Sequence, residues 1–201
     1  MCDADPRRAD TARQELPGLQ GYHTSLTELL KMDELDLVVD ILPHNLHAPT
    51  AIQCMQAGKH VITEKPFCID VAEANAMIDA ARANTVMLST FHNRRWDGDY
   101  LLIQDVIKRG LIGEVFHIEA GSAGYGHPGF WWRSEKHISG GVMHDWGAHF
   151  IDWILNLVPS TVAQVTGNFR KLVWDSVTNE DHGQAYIRFA NGCRSEEHTS
   201  E

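Results

Sequence analysis

The sequence contains no apolar run close to the roughly 20 residues needed to cross a bilayer, and acidic and basic residues follow Met1 where a signal peptide would have its apolar core. No membrane partner is expected, and the expected location is cytoplasmic. Positive charge is in short supply too: the formal net charge is -10. Such a surface gains nothing by counterion release from a polyanion, which argues against nucleic acid as a partner. Cysteine is sparse and unpatterned, since Cys2, Cys54, Cys68 and Cys193 show no C-x-x-C spacing. Neither a zinc knuckle nor a disulfide framework is indicated, and the four read as reduced thiols. The histidines are spread along the chain without an H-E-x-x-H helix, so no metal is expected. A zinc site built from His44, His47, His144 and His149 stays open as a distant alternative.

What is present is the balance of a folded chain. With 43% hydrophobic and 22% charged residues over 201 positions, composition excludes disorder and allows one large or two small domains. The first half alternates helical and strand patterns at short intervals, which predicts a parallel sheet covered by crossover helices. Helices are expected over residues 6–16, started by Pro6 and stopped by Pro17-Gly18, and from the Ser25-x-x-Glu28 capping box to Lys31. The run at 36–42 (DLVVDIL) has strand length, and a helix over 45–57 closing at Gly58 follows it. Residues 60–64 read as the next strand. Asp70 with Glu73 caps a helix reaching Arg82, and 85–91 (TVMLSTF) supplies another strand.

Beyond Asp97 a helix to Arg109 leads into longer alternating patterns at 114–122, 163–173 and 183–189, interrupted by one helix over 142–157. These predict a second, partial α+β domain with a largely antiparallel open sheet. The fold class is therefore α/β, with a Rossmann-type domain over 1–95 and a partial C-terminal substrate and oligomerisation domain over 96–193. Both ends read as truncated. A doubly wound nucleotide-binding domain opens with a strand and a G-x-G-x-x-G turn, whereas Met1-Cys2-Asp3 resembles only the tail of its second strand. Residues 194–201 (RSEEHTSE) match the translation of a sequencing-library adapter and are read as an artefact outside the fold.

Several residues carry candidate chemistry. A carboxylate at Asp3 would accept hydrogen bonds from dinucleotide ribose hydroxyls, or it starts the following helix. Arg7 and Arg8 leave room for a 2′-phosphate, so NAD is preferred to NADP only slightly. Glu64-Lys65-Pro66 follows a buried strand and delivers Lys65 to the carboxyl edge of the sheet, where an ammonium would stabilise a developing alkoxide; the alternative is a strand-ending lysine reaching for water. Pro43, His44, Asn45 and His47 end the preceding strand beside that edge, with Asn45 expected to cap its helix. Asp145 and His149 are four residues apart, so on a helix they share one face, where a carboxylate orients an imidazole base or makes a surface hydrogen bond. Gly140-Gly141 before them and the aromatics Phe130-Trp131-Trp132 tilt the reading toward a pocket, although such aromatics are also common core residues.

Taken in order, Ala57-Gly58-Lys59-His60-Val61 running into Glu64-Lys65-Pro66, then Asn93-Arg94-Arg95, Gly110-x-Ile112-Gly113-Glu114, Gly140-Gly141 with Asp145-x-Gly147-x-His149-x-x-Asp152, and Glu180-Asp181 resemble the glucose-fructose oxidoreductase / inositol dehydrogenase / rhizopine-catabolism (Gfo/Idh/MocA) family. The resemblance covers residues 1–193. It implies NAD or NADP as cofactor, a sugar or cyclic polyol as substrate, and a homo-oligomeric full-length dehydrogenase. The family's catalytic residues would fall on Lys65, Asp145 and His149. Asp3, Pro43, Asn45, His47, Glu64, Lys65, Arg94, Trp132 and Arg133 would line the cofactor cleft. The isolated chain, lacking the phosphate loop, is expected to bind dinucleotide weakly and to be inactive. Two alternatives on the same fold are a non-catalytic dinucleotide or sugar sensor and an NAD-dependent glycoside hydrolase.

Overall fold

The computed structural model describes residues 1–200. Its N-terminal segment holds α1 (Arg8–Glu15) and the short α2 (Leu26–Leu29), which Ser25 caps by accepting the Glu28 N–H at 3.4 Å. Three short strands follow: β1 (Leu37–Asp40), β2 (His60–Glu64) and β3 (Leu88–Phe91). They pair in parallel in the order β1-β2-β3, with Val38 opposite Val61 and Ile62 opposite Ser89. Parallel neighbours need long crossovers. These are α3 (His47–Gln56) and α4 (Val71–Asn84), which pack on each other.

The start of α4 shows why the chain turns helical there. The Asp70 side chain accepts the Glu73 N–H at 2.8 Å while Glu73 accepts the Ile69 N–H at 2.9 Å, so two otherwise orphaned donors are satisfied. The core between helices and sheet is Ala51, Cys54, Met55, Val61 and Met77, none of which retains solvent contact. Burying each large apolar side chain contributes roughly 1.5 to 3 kcal/mol.

The second half consists of α5 (Gly98–Lys108), β4 (His117–Ala123), α6 (Lys136–Ser139), α7 (Trp146–Leu157), β5 (Val162–Arg170), β6 (His182–Phe189) and β7 (Arg194–Ser200). The sheet order is β4-β7-β6-β5, with β4 and β7 parallel and the other two pairs antiparallel. On one face Ile154 and Val158 pack against Ile187, Phe189 and Cys193. The α/β class holds, with a parallel Rossmann-like sheet followed by a mixed one.

Three local expectations differ from the structure. The helix expected from Val142 is broken: Val142–His144 is a 3-10 turn, and Asp145 sits between it and α7 at φ -91, ψ -91. Asn45 caps nothing, because a 3-10 turn over His44–Leu46 opens after Pro43 without any side-chain cap. Residues 194–200, read as lying outside the fold, form β7 in the interior of the second sheet. Backbone ladders to β4 and β6 hold it there even though the residues it turns to the core, Ser195, Glu197 and Thr199, are polar. Among the described residues no helix is long and apolar enough to cross a membrane.

Candidate active site

Open α/β sheets bind ligands beyond the carboxyl ends of their strands. Here those ends carry Pro43, His44 and Asn45 after β1, Glu64 as the last residue of β2 with Lys65 after it, and His92 to Arg95 after β3. Lys65 precedes a cis peptide bond to Pro66, and its N–H donates to the Glu64 carboxylate at 3.1 Å. Its ammonium crosses to the other half of the molecule. It forms a short ion pair with Asp145 and also donates to the Asp145 carbonyl at 3.2 Å, with only 13% of the side chain exposed. A snorkelling surface lysine would look different.

Asp145 accepts a second cation, Arg133, at 3.2 Å. Burial works against its charge, but the Lys65 hydrogen bond and charge, with Arg133 behind them, hold the carboxyl below its ordinary range. Arg133 in turn lies over the rings of Trp132 and Trp131, 4.5 and 5.4 Å from their centroids. The backbone reaches this geometry through Gly140 and Gly141, at φ +88 and +116. A Cβ on Gly140 would lie 2.9 Å from the His144 ring, and one on Gly141 would lie 2.9 Å from a Glu180 oxygen. Neither position has room for a side chain.

His149, one turn into α7, is 4% exposed, and among the described residues its Nδ1 has no hydrogen-bond partner. Burial first, then Lys65 and Arg94, push its pKa down to about 4, so the ring is neutral near pH 7. The Arg94 guanidinium stacks 4.2 Å over Trp146, whose ring meets His149 edge-on at 5.8 Å. Two links fix α7 against the end of β3: Arg95 binds Asp152 through two bonds of 2.8 and 2.6 Å, and Trp153 Nε1 donates to the Arg94 carbonyl.

Lys65, Asp145, Arg133, Trp132, Arg94 and His149 are thus assembled around one region. The expected contact between Asp145 and His149 is absent among the described residues: the break before α7 turns the carboxylate toward the two cations instead. His47 lies beneath the cleft, fully buried, with Nδ1 at 2.8 Å from the Pro66 carbonyl and Nε2 at 2.9 Å from that of Leu42. It ties the turn after β1 to the turn that carries Lys65. Asn45 keeps a buried Oδ1 that has no partner among the described residues. Asp3 stays with the N-terminal segment, accepting from the Asp5 N–H and pairing with Arg8 at 3.4 Å. Sequence reasoning passed over His44 as a ligand contact, although its place after a strand-ending proline put it at the sheet rim. It also passed over Asp40, buried below, whose carboxyl is pushed up to about 6 by burial against the opposing charge of His47.

Asp145 lines two cavities, one of about 290 Å³ beside Ser122, Gly124 and Trp146, and one of about 60 Å³ beside His44, Trp131 and Arg133. Among the described residues Asn45 Oδ1 and the Asp145 carboxylate offer acceptors here, the first without a partner, which suits a ligand carrying amide and hydroxyl donors, the chemistry of a nicotinamide dinucleotide and of a polyol.

Comparison with known proteins agrees with this geometry. Residues 1–92 match the model of an oxidoreductase family with an NAD-binding Rossmann fold, and residues 100–200 match the GFO/IDH/MocA C-terminal domain. A scyllo-inositol 2-dehydrogenase (NADP(+)) of Bacillus subtilis is 32% identical over 152 residues, covering 75% of this chain and 42% of the relative. An NAD-binding protein from Listeria innocua superposes with TM-score 0.89 at 32% identity, over 99% of this chain and 58% of its own. A levoglucosan dehydrogenase, solved with NADH and levoglucosan, superposes with TM-score 0.86 at 25% identity, over 99% of this chain and 56% of its own. The chain spans about 40% of the length of the first curated relatives it matches. With both halves matched and the fold shared, the chain belongs to the GFO/IDH/MocA oxidoreductase family.

Proposed function

We propose that this chain carries the reaction centre of an NAD(P)-dependent dehydrogenase that oxidises a secondary hydroxyl of a sugar or cyclic polyol. The observation that carries the reading is the ion pair of Lys65, from the carboxyl end of β2, with Asp145 just before α7, near enough for its charge to bear on a neutral, buried His149 one turn into that helix. A neutral imidazole accepts a proton, and an ammonium beside it stabilises the oxyanion left behind. In this scheme the substrate O–H proton passes to His149, and Lys65 holds the developing alkoxide. Asp145, kept ionised by Lys65 and Arg133, accepts a neighbouring hydroxyl. The hydride on the same carbon would pass to a bound nicotinamide, so a hydride and a proton together leave the carbinol and a ketone remains.

Asn45, Glu64, Lys65 and Arg94 at the strand ends would hold the nicotinamide end of the cofactor. The orphaned Asn45 Oδ1 suits a carboxamide N–H. NAD and NADP are both compatible, with a slight lean to NAD from Asp3. The chemistry of sugar-handling relatives supports the substrate class: the Bacillus subtilis relative is named for scyllo-inositol, and the levoglucosan dehydrogenase was solved with an anhydrosugar. The aromatic faces of Trp131 and Trp132 beside Arg133 and Asp145 suit a ring with axial C–H and equatorial hydroxyls. The full-length protein is taken to be a soluble homo-oligomer. The test is nicotinamide reduction by scyllo-inositol and levoglucosan in the full-length protein. Lys65→Met is expected to lower kcat at least a hundredfold while dinucleotide affinity falls much less; unchanged turnover overturns the assignment.

A further inference from the structure

The smaller cavity ends on a group to which the proposed reaction gives no role. His44 is 2% exposed and lies at the carboxyl end of β1. Its Nδ1 is 2.7 Å from the Ser139 carbonyl. A carbonyl oxygen only accepts, so Nδ1 carries the proton. Burial opposes a second proton more strongly than the Ser139 bond favours one, and the charges of Arg133 and Lys65 oppose it too, leaving the ring neutral. The Nε2 lone pair is therefore bare, and among the described residues it has no hydrogen-bond partner while sealed from solvent. A buried acceptor left in this state costs roughly 1 to 3 kcal/mol.

The orientation of the ring is set by more than one bond. Trp132 meets it edge-on with centroids 4.8 Å apart, and the His47 ring lies 5.6 Å away on the other side. The cavity it borders, about 60 Å³, is shared with Trp131, Arg133, Gly141, Asp145 and Asn179. That volume holds about two water molecules, so it takes one substituent of a ligand rather than a whole ring. Asp145 and Val142 also line the outer cavity of about 290 Å³, near the lower end of small-molecule sites. The two cavities therefore adjoin along the Asp145 wall.

We propose that His44 Nε2 is a recognition acceptor that takes a hydrogen bond from one O–H or N–H donor of the bound ligand, inserted past Asp145 into the inner cavity. This rests on the dehydrogenase reading and adds a specificity rule to it: a ligand lacking a donor at that point leaves the lone pair buried and unpaired. The donor is a polyol hydroxyl or the carboxamide N–H of the cofactor. The lining of Trp131, Arg133, Asp145 and Asn179 favours the hydroxyl.

The test uses the full-length protein labelled with 15N in its histidine rings, with NADH, nicotinic acid adenine dinucleotide (no carboxamide N–H) and scyllo-inositol as probes. In the free chain at pH 7, His44 is expected to show a protonated Nδ1 and a bare Nε2; a protonated Nε2 overturns the proposal. Adding the ligand that supplies the donor is expected to shift the Nε2 resonance in the hydrogen-bonding direction. His44→Phe, which keeps a flat ring against Trp132, is expected to weaken that ligand about tenfold, and His44→Gln, which keeps an acceptor, to restore part of the loss. A loss with scyllo-inositol identifies the hydroxyl, and a loss with NADH but not with the acid analogue identifies the carboxamide. Ligand-induced shifts at His149 with none at His44 sink the His44 assignment and leave the dehydrogenase reading standing. Silence at both rings with every probe overturns both.

Discussion

The contact between Lys65 and Asp145 joins the two halves of the molecule, and its strength can be worked from the structure. Two unit charges about 4 Å apart at an effective dielectric near 20 attract by about 4 kcal/mol. Desolvation of the nearly buried ammonium, 13% exposed, offsets part of that. The 40% exposure of Asp145 and the competing Arg133 weaken the attraction further. A net coupling of about 1 to 2 kcal/mol remains. Lys65→Met leaves Asp145 with Arg133 alone, and Asp145→Asn leaves the ammonium facing a neutral amide and one carbonyl. Urea unfolding of wild type, both single variants and the double variant, followed by tryptophan fluorescence at pH 7, is expected to give single losses near 2 kcal/mol and a double loss smaller than their sum. An additive cycle, with coupling below about 0.3 kcal/mol, would refute the account of Lys65 as a buried, paired cation. The same substitution carries a second readout of opposite character. Lys65 is the largest charge that depresses His149, so its removal is expected to raise the His149 titration above its present value of about 4.

Two further outcomes follow from buried ionisable groups. His44 and His149 both have folded pKa values near 4, below the ordinary 6.5, so the stability they contribute is present above pH 6.5 and is lost as pH falls through 4; His149→Phe is expected to flatten the decline of Tm across that window, and an unaltered slope refutes the depression. Glu197 in β7 is fully buried, its Oε2 has no partner among the described residues and its pKa is raised by burial, so Glu197→Met is expected to stabilise the chain by roughly 1 to 3 kcal/mol at pH 7 and by less in acid, and destabilisation in urea titrations would contradict the reading.

How much of this was legible beforehand depended on whether the governing interaction was local. The parallel strands at 37–40, 60–64 and 88–91 stand out as short apolar runs between helical patterns. The start of α4 was equally readable, because Asp70 and Glu73 satisfy each other's turn within four residues. The break at Asp145 was not. The apolar periodicity of α7 runs back through Val142, and only the pull of Lys65, 80 residues away, and of Arg133 draws the carboxylate off the helix. The role of Asn45 was misjudged for a related reason: a 3-10 turn opens after Pro43, so Asn45 lies inside that turn and not in the capping position before it. β7 was illegible from pattern alone. Ser195, Glu197 and Thr199 are not residues that announce a core-facing strand, and the slot between β4 and β6 is defined entirely by distant backbone.

The charge arrangement of the site is coherent when its groups are taken together rather than singly. Lys65 holds the Asp145 carboxyl ionised, and its charge adds to the burial that keeps the His44 and His149 rings neutral. One cation therefore favours the acceptor forms of three side chains, of which Asp145 borders both cavities and His44 the inner one. A carboxylate and an imidazole with a bare Nε2 bordering these cavities, near an ammonium, suit a ligand that is rich in hydroxyl donors and develops negative charge at a single oxygen. An anionic ligand would meet the ammonium but be repelled by Asp145. A ligand without donors would leave the buried Nε2 lone pair of His44 unmatched, at a cost of roughly 1 to 3 kcal/mol. Discrimination by unpaired acceptors of this kind is steeper than discrimination by fit. On that ground the number and placement of hydroxyls, rather than overall size, is the property this site is built to read.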